Sequence, residues 1–243
     1  MNEIIASLHA RKSVRAYLDR PIPPEDKQLI LEAACQAPTA GNQQLYTILD
    51  ITDQALKDKL AVSCDNQPFI AAAAMVLIFC ADCRKWYSAY REAGQTPRLP
   101  GVGDLMLAVT DAAIAAQNAV VAAESLGIGS CYIGDILEQR ETHQAMLNLP
   151  RYVVPAAMLV FGYPTEQQIT RVKPARCAIR HIVHENAYRD MDGAELREMF
   201  AQRAGAKGFD AYMTDFGMRK YESDFAVEMT RSVARYLEDF ETP

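Results

Sequence analysis

The chain has 243 residues, of which half are hydrophobic and 23% are charged. This composition is ordinary for a globular protein, and the length suits one large α/β-type domain better than two small ones. The formal net charge of −6 makes nucleic acid and an anionic membrane surface poor candidates for a partner, because both are bound by clustered Lys and Arg.

No segment of the sequence has the features of an export signal or a membrane span. Residues 1–10 lack the basic and apolar regions of a signal peptide. The apolar stretch 69–81 is shorter than the roughly 20 residues that cross a bilayer. The Ala-rich segment 105–126 carries Asp111 and Glu124, which favours a buried helix. We therefore expect a cytoplasmic protein whose cysteines are reduced thiols.

Apolar periodicity and turn residues predict alternating helices and strands. Helices are expected at 3–9, 25–36, 54–62, 104–126, 138–147, 192–203 and 220–240. Strands are expected at 45–51, 71–81, 130–136 and 154–162. Irregular segments are expected at 84–103 and 165–177, the second of them basic. The helix 104–126 is apolar nearly all round, which favours burial on more than one side or at a subunit interface.

The strand-like apolar runs end near Gly162, and the rest of the chain has a different character. We therefore predict a main domain over 1–177 and a C-terminal extension over 178–243, packed on that domain or on a partner chain. The Gly-rich phosphate loops of Rossmann and P-loop proteins are missing, so a bound nucleotide would need another kind of phosphate site.

The most concentrated polar signal is the segment Arg11-Lys12-Ser13-Val14-Arg15, which follows the first helix. Three cations and a hydroxyl within five residues can bind a phosphate, because Arg offers paired donors and Ser adds another. A solvated basic turn has the same composition. We call this segment, residues 11–15, the basic turn.

A second polar segment, Ala37 to Gln44, follows the next helix and reads A-P-T-A-G-N-Q-Q. Small side chains let such a loop approach a flat polar ring closely, and its amides can pair with ring carbonyls. An ordinary helix-ending loop would also contain Pro and Gly.

These two segments together resemble the N-terminal signature of the nitroreductase flavoprotein family. That signature is a basic-x-Ser-x-basic motif, a helix, and then Pro-Ser/Thr-x-x-Asn-x-Gln. Gly127 to Gly134, Gly162-Tyr-Pro164 and the basic Lys173-Pro-Ala-Arg176 are similar to later family motifs. The tail from His184 resembles the larger, oxygen-insensitive subgroup.

The resemblance implies an α+β fold with a mixed, mostly antiparallel sheet between helices. It also implies an FMN site at the interface of a homodimer, with NAD(P)H as co-substrate. Arg11 and Ser13, with Lys12 beside them, match ligands of the FMN phosphate, and Arg15 matches a cation near the flavin pyrimidine. The remaining matching positions are Thr39, Asn42 and Gln44 on a loop from the second subunit, Gln67, Tyr132, Ile133, Gly134, Lys173 and Arg176.

The late phosphate ligands depart from the spacing of the family motif. Many relatives place Lys and Arg two positions apart, whereas Lys173 and Arg176 are three apart. Arg171 and Lys173 form the alternative pair.

The family chemistry implies ping-pong two-electron reduction of nitroaromatics, quinones or free flavins, carried out by the flavin rather than by a side chain. Two alternatives remain open on the same scaffold. One is a flavin-binding redox sensor or FMN store without catalysis, and the other is a reductive dehalogenase.

Two further patterns have ordinary interpretations. Cys80 and Cys83 have the C-x-x-C spacing, but no second pair follows, which favours buried thiols at a strand end over a zinc site. His181 and His184 are spaced for one helical face, yet no third ligand follows at metal-site spacing.

Overall fold

The computed structural model describes residues 1–241. The chain forms two compact units, one containing Met1–Arg171 with the chain from Glu228 onward, and the other containing Val172–Val227. The predicted boundary at residue 177 stays a prediction.

The first unit is built on a four-stranded antiparallel sheet. Its strands are β1 (Tyr46–Asp50), β2 (Met75–Asp82), β3 (Gly129–Ile133) and β4 (Val153–Gly162), in the order β1-β2-β4-β3. All three strand pairs are antiparallel, which confirms the predicted fold class. The sheet leaves β3 as an edge strand, and the site described below lies beside that edge.

Eight helices precede the second unit, and they are named here in chain order. They are α1 (Glu3–Ala10), α2 (Pro24–Cys35), α3 (Gln54–Ser63), α4 (Pro68–Ala71), α5 (Arg84–Glu92), α6 (Val102–Ser125), α7 (Arg140–Met146) and α8 (Glu166–Thr170). The second unit contains α9 (Gly193–Ala204) and α10 (Phe209–Lys220), and α11 (Asp224–Leu237) begins in it and ends in the first unit.

Helix α6 is the longest element and packs against β2, β4 and α2. By length and composition alone it is also apolar enough to cross a membrane. Six of its nine buried residues are alanines, including Ala108, Ala112 and Ala116, which are 0% exposed. Small side chains let the helix approach the sheet closely, so the contact is that of a core helix.

Three predicted elements differ from the structure. Residues 84–92 form a helix and not an irregular segment, because the Asp82 carboxylate accepts the first N–H groups of α5 and the Gly and Pro residues come after it. The predicted helix 220–240 is wrong at its start. An unpredicted helix ends at Lys220, and the next begins at Asp224. Strand β3 ends at Ile133 and continues as a 3₁₀ turn.

The C-terminal part of α11 completes the N-terminus of α7. Gln139 has a left-handed backbone (φ 47°) and donates its N–H to Glu228 Oε1 at 3.0 Å. The next N–H, from Arg140, is donated to Ser232 Oγ, also at 3.0 Å. A helix leaves its first N–H groups without intrahelical partners. The end of the chain therefore supplies a cap that local sequence cannot.

Candidate functional site

The basic turn runs along the outer edge of β3. The N–H of Val14 donates to the carbonyl of Ser130 at 2.9 Å. Gly129 and Gly162 face each other across β3 and β4, and a Cβ on Gly129 would lie 2.5 Å from Val14 Cγ2. A Cβ on Gly162 would lie 2.6 Å from Tyr17 Cδ1. The glycine pair thus makes the slot that seats the chain from residue 14 to residue 17.

Arg11 is directed at β3 and keeps unused hydrogen-bonding capacity. Its Nη2 donates to Ser130 Oγ at 3.5 Å, and its guanidinium lies 5.9 Å from the Tyr132 ring centroid. Its Nε is buried and, among residues 1–241, has no hydrogen-bond partner. A buried donor without a partner is costly, which makes this atom a candidate ligand for an anion.

Arg171 joins the basic turn from the end of α8. Its Nη2 donates to the carbonyl of Ser13, and its buried Nε has no partner within the described chain. Lys12 points at the same segment, since its ammonium donates to the carbonyls of Ile169 and Arg171 at 2.6 Å each. The ammonium of Lys12 thus holds the end of α8 in place. Arg171, at that end, adds a positive charge beside the basic turn.

Arg15 and Gln67 lie on neighbouring segments. The Arg15 guanidinium is 6.0 Å from the ring centroid of Phe69, two residues after Gln67. Gln67 donates from Nε2 to the carbonyl of Cys64 at 2.8 Å, within a turn whose Asp65 and Asn66 have left-handed backbones. The structure therefore brings the Gln67 turn next to the Arg15 end of the basic turn.

The end of β3 is partly open. Tyr132 donates its hydroxyl to Gln117 Oε1 at 3.3 Å, and burial raises the pKa of this tyrosine to about 12. Ile133 is buried, and a Cβ on Gly134 would meet no atom within 4 Å. There is therefore open space beside the backbone at Gly134.

The loop Thr39–Gln44, which we call the amide loop, is held by a residue that the sequence analysis gave no role. Asp111, in the middle of α6, accepts the N–H of Ala40 at 3.0 Å and the N–H of Leu45 at 3.2 Å. The only sequence signal was an acidic residue inside an otherwise apolar helix.

The tip of the amide loop is exposed and has an unusual backbone. Gly41, Asn42 and Gln44 all have left-handed φ angles of 50–57°. The Gln44 N–H donates to Thr39 Oγ1 at 3.1 Å, closing the loop on itself. Asn42 and Gln44 are both exposed, and the side-chain amide of Gln44 donates from Nε2 to the carbonyl of Cys35 at 3.3 Å.

Within one chain the amide loop and the basic turn lie near different parts of α6. Asp111 holds the loop, whereas Glu124 lines a cavity with Lys12 and Val14. These two helix positions are 13 residues apart, which corresponds to about 20 Å along the axis. The two predicted halves of the site are therefore separated along α6 in a single copy of the chain.

The remaining predicted cations, Lys173 and Arg176, belong to the second unit. Arg176 lines a cavity there together with Arg180 and Arg203. In the same unit, the Nε2 of His181 lies 3.5 Å from Glu198 Oε2. His184 accepts the N–H of Arg189 through Nδ1. Over residues 1–241, no group of three or more His, Cys, Asp or Glu residues is arranged to hold a metal ion.

Cys80 and Cys83 are buried thiols rather than a reactive pair. They are 0% and 5% exposed, and neither is in a disulfide. Burial raises the pKa of each thiol to about 12, the largest cause in both cases. Because the thiolate is the reactive form, both cysteines are unreactive at neutral pH.

Comparisons with known proteins identify the family to which the chain belongs. Residues 8–163 match the nitroreductase family. The chain is 30% identical to an FMN reductase [NAD(P)H] of Bacillus subtilis over 240 residues, 98% of this chain and 92% of that protein. It is 34% identical to an oxygen-insensitive NADPH nitroreductase of Salmonella typhimurium over 192 residues, 79% of this chain and 77% of that one. The solved structure of B. megaterium NfrA2 superimposes with a TM-score of 0.82 at 29% identity, covering 100% of both chains. This chain belongs to the nitroreductase family.

Proposed function

We propose that this protein is an FMN-dependent NAD(P)H oxidoreductase that reduces nitroaromatics, quinones or free flavins. The names of the relatives, an FMN reductase [NAD(P)H] and an oxygen-insensitive NADPH nitroreductase, support this activity. The observation in this chain that carries the proposal is the pair of buried guanidinium Nε atoms on Arg11 and Arg171. Arg11 lies in the basic turn and donates to Ser130 of β3, and Arg171 donates to the Ser13 carbonyl of the basic turn. Each arginine also has an Nε–H that is free within residues 1–241 and could donate to a phosphate oxygen.

The residues of the chain bind and orient the cofactor. Arg11, Ser13 and Arg171 hold the phosphate of FMN, and Lys12 fixes the segment from which Arg171 projects. Arg15 places positive charge near the flavin pyrimidine, where it favours a reduced, anionic ring. Bound FMN supplies the two-electron chemistry. The other proposed cofactor contacts are Gln67, Tyr132, Ile133, Gly134, Lys173, Arg176 and the amide-loop residues Thr39, Asn42 and Gln44.

We infer that the working unit is a homodimer in the cytoplasm, with each flavin bound by the basic turn of one copy and the amide loop of the other. The separation of about 20 Å along α6 supports this division between copies. Exposed apolar side chains on α1 and α6 also support it, since Ile4, Met106 and Leu107 are 50–66% exposed. Burial of such a surface against a second copy removes it from water.

The proposal is tested by adding FMN to the purified protein and then NADPH or NADH without oxygen. We expect a yellow complex that bleaches rapidly and regains its colour when a quinone or nitroaromatic is added. Arg11→Ala should weaken FMN binding, whereas Arg91→Ala, at an exposed arginine on α5, should leave it unchanged.

The other outcomes are informative. A protein that binds FMN but is not bleached by either nicotinamide would be a flavin-binding sensor or store. A protein that remains colourless at saturating FMN would refute the proposal. Initial rates should give the parallel double-reciprocal lines of ping-pong kinetics, and intersecting lines would contradict alternate use of one site.

A further inference from the structure

Asp111 is a buried carboxylate in the alanine-rich part of α6. It is 2% exposed, and its neighbours on the helix face are the fully buried Ala108, Ala112 and Ala115. Burying a carboxylate is expensive unless it is paired or hydrogen-bonded. Among residues 1–241 it has no ion-pair partner, and both oxygens accept N–H groups of the amide loop, one from Ala40 and one from Leu45. The Asp111 carboxylate is therefore hydrogen-bonded to both ends of one loop.

The amide loop needs such support because its backbone is strained. Asn42 and Gln44 have φ angles of 57° and 50°, a region that residues with a Cβ seldom adopt. These conformations persist where the surroundings over-determine them. Besides Asp111 and the hydrogen bond from Gln44 Nε2 to the Cys35 carbonyl, two other side-chain contacts do so. Thr39 Oγ1 accepts the Gln44 N–H, and Trp86 donates its indole N–H to the carbonyl of Gln43 at 2.7 Å.

We propose that Asp111 is a positioning residue for flavin binding that acts on the site of the other subunit. By fixing the N–H groups of Ala40 and Leu45, it holds the loop in the shape that presents Asn42 and Gln44 to the flavin bound by a second copy. This inference rests on the proposed FMN function and adds to it a residue that lies far from the phosphate ligands of its own chain.

The first test compares FMN affinity in Asp111→Asn and a matched control. The variant keeps the size of the side chain, but its NH2 group faces one of the two N–H donors, so one end of the loop is released. We expect FMN to bind about tenfold more weakly, since one hydrogen bond is lost and a donor is left buried without a partner. Asn118→Ala, on the same helix, removes a hydrogen bond to the Ala33 carbonyl and should leave FMN affinity unchanged.

Trp86→Phe provides a second variant if Asp111→Asn does not fold. It removes the indole donor to the Gln43 carbonyl at a residue outside the proposed cofactor contacts and should weaken FMN binding in the same direction. Wild-type affinity in a folded Asp111→Asn protein, or in Trp86→Phe if the first variant is insoluble, would overturn the positioning role.

The second test asks which subunit Asp111 serves. Differently tagged Arg11→Ala and Asp111→Asn chains are co-expressed, and the mixed dimer is purified through both tags. If Asp111 acts on the other subunit's flavin, both defects fall in one site and the second site is intact. The mixed dimer should then bind one FMN tightly and show about half of the wild-type activity, although each parent homodimer is impaired.

The negative control is the mixed dimer of Arg11→Ala with Ser13→Ala, in which the basic turn of each copy carries one defect, so neither site is intact. A mixed dimer of Arg11→Ala and Asp111→Asn that is as impaired as this control would overturn action between subunits. Failure of the proposed function has a different result, because wild-type protein would then either bind no FMN or bind it without being bleached by NADH or NADPH.

Discussion

The slot between β3 and β4 predicts a severe effect of Gly129→Ala. The added Cβ would lie 2.5 Å from Val14 Cγ2, 2.8 Å from its Cβ and 3.1 Å from its Cγ1, whereas ordinary contacts are 3.4–4 Å. Val14 must therefore move by about 1 Å, and overpacking of this kind costs about 1–3 kcal/mol. For a domain of this size we expect the melting temperature to fall by about 2–10 °C.

The same displacement should reach the cofactor, because Val14 lies between Ser13 and Arg15. A shift of the phosphate ligands weakens hydrogen bonds to a charged group, and we expect FMN to bind about tenfold or more weakly. Flavin fluorescence titration measures the affinity, and circular dichroism reports whether the fold is retained.

Gly217→Ala is a suitable control for the added methyl group. It lies inside α10, where a Cβ meets nothing within 4 Å, so this variant should be as stable as wild type or slightly more stable. Adding Val14→Ala to Gly129→Ala should restore binding only in part, since the Val14 Cβ is itself in the tight contact. A folded Gly129→Ala protein with wild-type affinity for FMN would refute the idea that the slot positions the basic turn.

Three further predictions follow from single side chains. Arg171→Ala should weaken FMN binding about tenfold or more in a calorimetric titration, and unchanged affinity would assign the phosphate to other cations. Burial lowers the pKa of His143, so the unfolded chain takes up a proton first as the pH falls. Acid should therefore lower the free energy of unfolding more in wild type than in His143→Gln, measured by urea titration at neutral and mildly acidic pH. A thiol reagent should label the exposed Cys35 quickly and the buried Cys80 and Cys83 only after unfolding, as read from labelled peptides by mass spectrometry.

The sheet and most helices were predictable because their signals are local. The central strand β2 is an uninterrupted apolar run, and the Pro24 start and apolar face of α2 are visible in the sequence. The helices that were not predicted from the sequence depend on residues outside their own segment or contain residues that disfavour a helix. Helix α5 is started by the Asp82 carboxylate, which follows a buried strand, and Gly217 inside α10 lowers its helix propensity.

The candidate site was predictable where chemistry is concentrated in sequence, and only there. The basic turn groups its donors within five residues, so it can be recognised before any fold is known. Asp111 had no role in the sequence analysis and Arg171 was one of two alternatives, whereas the tertiary contacts show that Asp111 accepts an N–H of the amide loop and that Arg171 donates to the basic turn. The spacing rule for the late phosphate ligands could not choose between the two pairs, since spacing does not say which cation turns toward the basic turn.

If the basic turn binds FMN as proposed, its position predicts that cofactor binding and sheet integrity are coupled. An edge strand with unpaired N–H and C=O groups invites pairing with other chains. In this protein Val14 pairs with Ser130 of β3, and Tyr17 forms a bridge with Pro164 just beyond β4. The segment that covers the edge is therefore the one that carries Arg11, Ser13 and Arg15. We therefore expect that a change that opens the edge also separates the proposed phosphate donors, and that an anion bound to these donors stabilises the pairing of the basic turn with β3.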